Sequence, residues 1–177
     1  MSRTRALTTA AVLAVTTISL QAQAQCVNPP FAMNWLQQQE APNVPAAPPP
    51  NGGHTIAQHV GKTDQQLIDR VLHAGVNADG TYPNAVVAQA TITNALGANA
   101  GAINNWRNGV GVGASQRFNY AAPANIGRVA FPVGNPPNAV TVTDTCAFAV
   151  VMRALAGGAC YLVTSFPRPA LPADNCH

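Results

Sequence analysis

An α+β fold is predicted by three features: helical patterning confined to the first part of the chain, strand patterning from about Gly113 onward, and four cysteines spread from Cys26 to Cys176. Helices first and strands afterwards separate it from alternating α/β architectures. The first 24 of the 177 residues read as a secretory signal peptide. Arg3 and Arg5 precede the apolar run Ala6 to Leu20, and Ala22-Gln23-Ala24 carries the small-x-small pattern that signal peptidase reads. That run is shorter than the roughly 20 residues needed to cross a bilayer, so no membrane span is expected. A secreted or periplasmic product is expected instead, with one domain of workable size.

The cysteines follow from that location. Cys26, Cys146, Cys160 and Cys176 are even in number and would meet an oxidising compartment, so two disulfides are expected in one of three connectivities. Zinc is the weaker use of them, because no Cys-x-x-Cys pair exists.

Taken in order, residues 25–51 form an N-terminal segment. A short helix is expected at Phe31 to Gln39, with Trp35 covering an apolar patch, followed by the proline-rich connector Ala41 to Asn51 that favours an extended backbone. The globular part, residues 52–177, opens with a stronger signal. Thr63 and Gln66 make a capping box, Leu67, Ile68, Val71 and Leu72 give one apolar face, and Gly75 ends the helix. Further helices are expected from about Pro83 to Leu96 and from about Asn99 to Arg107, with Ile103 and Trp106 turned inward. Beyond Gly109 the segments GASQRFNY, GRVAFPV, AVTVTDTCAFAVVMRA and ACYLVTSF carry the β-branched and aromatic residues of strands. The Gly157-Gly158 turn joins the last two as a hairpin. No internal repeat is present.

Charge narrows the function. The formal net charge is +3 with 8% charged residues, and two of the arginines lie in the leader, so the basic carpet that grips duplex DNA is absent. A local cluster could still hold a phosphate. The stretch GGHTIAQHVGKT, Gly52 to Thr63, offers one. It is no P-loop, since Ile56 stands where the first glycine is required. The glycines of GVGVGAS, Gly109 to Ser115, read as a turn and not as a dinucleotide fingerprint. His54 and His59 are five residues apart, the wrong step for two ligands on one helix, so neither metal nor other cofactor is expected. What remains is histidine with fixed cations. A histidine takes protons near neutrality, while Lys62 and Arg70 could neutralise a phosphoryl transition state, a combination suited to attack by an RNA 2′-hydroxyl. On these residues alone the plainer reading stays ahead: loop histidines and a solvated helix arginine. Arg117, Arg128, Arg153 and Arg168 could flank an RNA groove, but scattered cations of this kind are usually solvated.

The order of these segments, GGHTIAQHVGKT, then a helix with Arg70, then IGRVAFPVGNPPNAV and a final YLVTSFP, resembles the bacterial RNase A-like toxin domain. That domain sits at the C-termini of contact-dependent growth-inhibition proteins and other polymorphic toxins, and the likeness covers roughly Gly52 to Pro167. It implies a kidney-shaped RNase A-like fold and metal-independent RNA cleavage. The family's catalytic histidine falls on His59, its arginine on Arg70 and its strand threonine on Thr164. A tyrosine two residues on is replaced here by Phe166, which has no hydroxyl. Thr164 and Phe166 should share a strand face, and Tyr161, three residues from Thr164, should look the other way. His54 or His73 could supply the missing acid, and His54, Lys62 and Phe166 are expected to contact substrate. RNA is the expected partner of a monomer, an immunity protein is a further one, and DNA is not expected. Two rival readings remain: a binding or structural protein that kept this fold and lost its chemistry, with Phe166 as its mark, and an adhesion domain with His59 and Arg70 far apart.

Overall fold

Thr63 starts its helix as its sequence context predicts. Its hydroxyl accepts from Gln66 N–H while Gln66 returns the bond to Thr63 N–H, so two otherwise unpaired donors at the helix start are satisfied. The computed structural model describes residues 25–40, 52–134 and 139–176. The expected leader and the connector Ala41 to Asn51 lie outside the described residues.

The helices are α1 (Trp35–Glu40), α2 (Thr55–His59), α3 (Asp64–His73), α4 (Ala85–Ala98) and α5 (Ala100–Asn108). The strands are β1 (Asp79–Thr81), β2 (Ser115–Ala121), β3 (Gly127–Val133), β4 (Ala139–Thr145), β5 (Ala147–Ala154) and β6 (Cys160–Pro167). Helix α1 begins later than expected, and Trp35 packs edge-on against Phe31. In α3, Leu67 and Val71 are buried, but Leu72, one step further round the helix, is exposed. The one-turn helix α2 and the three-residue strand β1 were not predicted; both are too short for a hydrophobic period to register.

The strands form two antiparallel three-stranded sheets, β1-β3-β4 and β2-β5-β6. The sequence 139–154, expected as one continuous strand segment, changes sheet at Cys146. Thr145 makes that corner: its hydroxyl donates to the Arg168 carbonyl at 2.8 Å and accepts from Ala147 N–H at 3.0 Å. Beside it Cys146 pairs with Cys176, and Cys26 pairs with Cys160, which selects one of the three possible connectivities. The Cys26–Cys160 bridge ties the N-terminal segment to the start of β6, where Val27 and Leu36 enter the main core with Ile92, Leu96, Ile103, Phe148, Val150 and Leu162. Trp106 packs on this core and meets Phe118 edge-on. A smaller core holds Leu67, Val71 and Ala130 under α3.

One glycine sets the distance between the sheets. Gly80 of β1 lies flush against the end of β6: a Cβ there would sit 2.1 Å from Pro167 O. Within its own sheet, Gly127 of β3 is crowded in the same way, a Cβ there falling 2.2 Å from Thr81 O of β1. The two sheets therefore meet backbone to backbone at Gly80, a point where only glycine fits. In β6, pairing with β5 shifts register between Val151 and Met152, so Val163 is an extra residue. This bulge changes the alternation. Thr164 and Phe166 share a face as expected, but Tyr161, paired with Arg153, falls on that same face instead of the opposite one.

Candidate active site

The site is assembled where α2, α3, β1 and β6 converge. His59 ends α2 and is buried; its backbone carbonyl accepts from Tyr82 N–H at 2.8 Å, which fixes the helix end to the residue that leaves β1. Its Nδ1 lies 3.0 Å from the Gly80 carbonyl oxygen. A carbonyl can only accept, so Nδ1 carries the proton and Nε2 of the neutral ring keeps its lone pair. The same Nδ1 is 3.4 Å from Asp79 Oδ1.

Asp79 is the residue that sequence reasoning missed. It is only 3% exposed, and its second oxygen, Oδ2, lies 3.2 Å from Arg70 Nη1. Oδ2 makes no aligned hydrogen bond among the described residues, so this contact is mainly Coulombic. Arg70 Nη1 also donates to the Gln58 carbonyl at 3.1 Å. The guanidinium is thus held through one nitrogen, and its Nε and Nη2 make no hydrogen bond to the described residues. One buried carboxylate links the histidine and the arginine, which rules out the arrangement in which His59 and Arg70 lie far apart.

Strand β6 closes the other side. Phe166 packs against His59 with ring centroids 5.2 Å apart. Thr164 shares its face, is buried, and its Oγ1 has no hydrogen-bond partner among the described residues. That hydroxyl is committed to no other group of the described residues. Between them Ser165 faces the other way, where its hydroxyl bonds the Ala149 carbonyl and the Tyr82 hydroxyl, and its N–H donates to Thr55 Oγ1 at 2.8 Å. Burial pushes the pKa of Tyr82 up, against the smaller effect of that Ser165 bond. This network locks α2 onto β6 and so fixes His59 relative to Thr164.

The other expected contacts divide. His54 lies near the cluster, 6.5 Å from His59 between ring centroids. Its pKa is lowered by burial first, then by His59 and Arg70, so near neutral pH it is uncharged and is a poor acid. His73 is exposed and bonds only its own helix, through the Asp69 carbonyl. Lys62 stands apart: it lines a different cleft of about 740 Å³ with Asp64, Thr81 and Arg128. Arg128 pairs there with Asp64 and Asp144, and Arg168 is buried against Asp174. Arg153 bonds Ser115. Among the described residues no three His, Cys, Asp or Glu residues are grouped as metal ligands, and no helix is long and apolar enough to cross a membrane.

Two disulfides, helices before antiparallel sheets and a histidine–arginine pair beside a strand threonine define the RNase A-like class. The family model described as the bacterial CdiA-CT RNAse A domain matches residues 53–167, and the protein belongs to that family. Its fold is similar to one in the crystal structure of a CdiA-CT/CdiI complex from Y. kristensenii 33638, with 22% identity and a TM-score of 0.56. The likeness covers 66% of this chain and 100% of that one. No curated protein matches this sequence.

Proposed function

We propose that this protein is a secreted, metal-independent endoribonuclease of toxin type that cleaves RNA by 2′-hydroxyl transesterification. The observation that carries the reading is the His59–Asp79–Arg70 cluster, with His59 Nδ1 turned to the Gly80 carbonyl and Arg70 held by one nitrogen only. His59 Nε2 takes the proton of the ribose 2′-hydroxyl, and the 2′-oxygen attacks the adjacent phosphorus. Arg70 and the Thr164 hydroxyl bind the phosphoryl oxygens and stabilise the charge that builds there. The bond to the 5′-oxygen breaks, and that oxygen takes its proton from water. Phe166 has no proton to give and His54 is held neutral, which makes this last transfer the weak step. The products are a 2′,3′-cyclic phosphate end and a free 5′-hydroxyl.

The buried Asp79 keeps both partners in place, with its carboxylate between the imidazole and the guanidinium. The two disulfides support folding outside the cytoplasm after removal of residues 1–24. An activity acquired only on oxidation lessens the danger to the producing cell. Lys62, lining a different cleft, is given no catalytic part. The CdiA-CT/CdiI pairing of the similar structure supports an immunity protein for this protein too.

The test is cleavage of a labelled RNA by the oxidised mature protein in excess EDTA, with analysis of the product ends. Cyclic phosphate ends in EDTA are expected. No cleavage of any RNA by a folded sample would favour the non-catalytic protein that Phe166 suggests.

A further inference from the structure

The face of the β2-β5-β6 sheet that carries Thr164 and Phe166 continues across two strands. Pairing puts Arg117 opposite Val151 and Val151 opposite Thr164; in the next row Asn119 is opposite Ala149 and Ala149 opposite Phe166. Directly paired residues project to one side, so Arg117 and Asn119 share the face of the proposed phosphate site. The central strand contributes only Ala149 and Val151 to these rows, while its larger Phe148 and Met152 point into the core. Thr164 and Arg117 thus stand on one face of the sheet, on strands about 10 Å apart, two strand spacings. That span suits the reach from a phosphate to the base of a nucleotide bearing it.

Arg117 is placed unlike the other cations on this face. Arg168 is neutralised by Asp174 and Arg153 is tied to Ser115, whereas Arg117 forms no ion pair among the described residues. Its guanidinium carbon stands 5.2 Å from the centre of the Phe166 ring, the same ring that packs on His59. Its Nε donates to Asn119 Oδ1 at 2.9 Å. Arg117 Nε can only donate, so the Asn119 amide must present its oxygen to Arg117 and turn its NH2 group outward. The groups left to a ligand are then donors: Arg117 Nη1 and Nη2, and Asn119 Nδ2. They border a cleft of about 490 Å³ that also includes Phe166 and Asn77, within the range of small-ligand sites.

We propose that this cleft is a nucleobase subsite selecting keto bases, guanine or uracil, next to the scissile phosphate. The inference rests on the ribonuclease reading and adds its specificity. Guanine presents O6 and N7, and uracil presents carbonyl oxygens, to donors that the protein has already oriented. Adenine and cytosine place an exocyclic amino group against those same donors, where two hydrogens face each other. The planar guanidinium supported on Phe166 also offers a surface for base stacking, a common mode in single-stranded RNA recognition. Phe166 thus acquires a use that explains a phenyl ring at this position: it is shared between His59 and the base-contacting arginine.

The test uses the oxidised mature protein and DNA oligonucleotides containing one ribonucleotide, so that a single phosphate can be cleaved. The base is varied first on the ribonucleotide and then on the residue after it, which shows the flank read and separates guanine from uracil. At one flank, kcat/KM for a keto base should exceed that for an amino base by about tenfold or more. Arg117→Ala should collapse that ratio toward unity, and Asn119→Ala should reduce it. Arg153→Ala, one row along the same face, should leave it intact. Equal cleavage of all four bases, or an Arg117→Ala loss uniform across them, would overturn the proposal. If wild type cleaves nothing, equilibrium binding of 2′-O-methyl oligonucleotides decides separately. A keto preference lost in Arg117→Ala supports the subsite without catalysis, and binding without preference, or no binding, refutes it.

Discussion

The two sheets reach the site by different physical means. From β1-β3-β4 comes Asp79–Gly80, a buried edge pressed against Pro167 so closely that a single added Cβ cannot fit. From β2-β5-β6 comes a face on which Thr164 and Phe166 of one strand stand in register with Arg117 and Asn119 of another, Arg117 reaching over the Phe166 ring. The first region fixes a proton acceptor by backbone contact and one carbonyl. The second offers side groups to a ligand. In the proposed reading the rigid region takes the proton and the cleft of about 490 Å³ beside Arg117 receives the base.

Removing Arg70 should have the largest effect. Arg70→Ala should lower RNA cleavage by about 10²–10³-fold, because the proposed mechanism sets Nε and Nη2 against the phosphoryl oxygens. Its thermal melting should fall too, because the buried Asp79 carboxylate loses its cation, so cleavage is compared at a temperature where both proteins are folded. A variant that keeps near-wild-type cleavage would detach the arginine from the chemistry. The rigid side is attacked next by Gly80→Ala. With Pro167 O at 2.1 Å the sheets must separate, and a stability loss of about 3 kcal/mol is expected in denaturant melts. Stability unchanged in that variant would mean the junction yields easily.

The other side is sharpened by restoring a hydroxyl. Phe166→Tyr places an O–H on the face shared with Thr164, and a gain of up to about 10²-fold in kcat is expected if proton donation to the leaving oxygen is the weak step. An unchanged rate measured in single turnover would move the weak step elsewhere. The smallest effect concerns His54. Its folded pKa lies below the ordinary 6.5 because burial, His59 and Arg70 oppose protonation. The stability this gives is present above 6.5 and is lost as pH falls through the lower folded value, since the unfolded state then binds a proton more readily. His54→Gln should therefore flatten the acid limb of the stability–pH curve. An acid limb identical to wild type would assign it to other groups.

Much of this was legible in the sequence wherever the signal is local. The capping box at Thr63 and Gln66 needs only four residues and forms as expected, and strand composition marked β2, β3 and β6 within a few positions. The corner at Cys146 was hidden because no glycine or proline interrupts 139–154; it depends on Thr145 meeting the Arg168 carbonyl, a contact made only after folding. The face of Tyr161 was misread for a similar reason, since one extra residue in β6 reverses the alternation and has no signature in CYLVTSFP. The motif placed His59 and Arg70 together. Asp79 gave no such clue: it stands 20 residues from His59 in a stretch, VNADGTY, that reads as a turn, and only the β1–β3 pairing carries it under both of them. Lys62 shows the converse, a cation close in sequence to His59 that the turn at Gly61 sends into another cleft.

The central claim is that His59 Nε2, fixed by the bond from Nδ1 to Gly80, removes the 2′-hydroxyl proton. The most direct measurement is single-turnover cleavage of a labelled RNA in EDTA by the oxidised wild type and His59→Ala, with folding checked by circular dichroism. A loss of at least about 10²-fold in a folded His59→Ala variant, with wild-type cleavage unaffected by EDTA, is the predicted result. Cleavage that persists without His59, or that EDTA abolishes, would contradict the account.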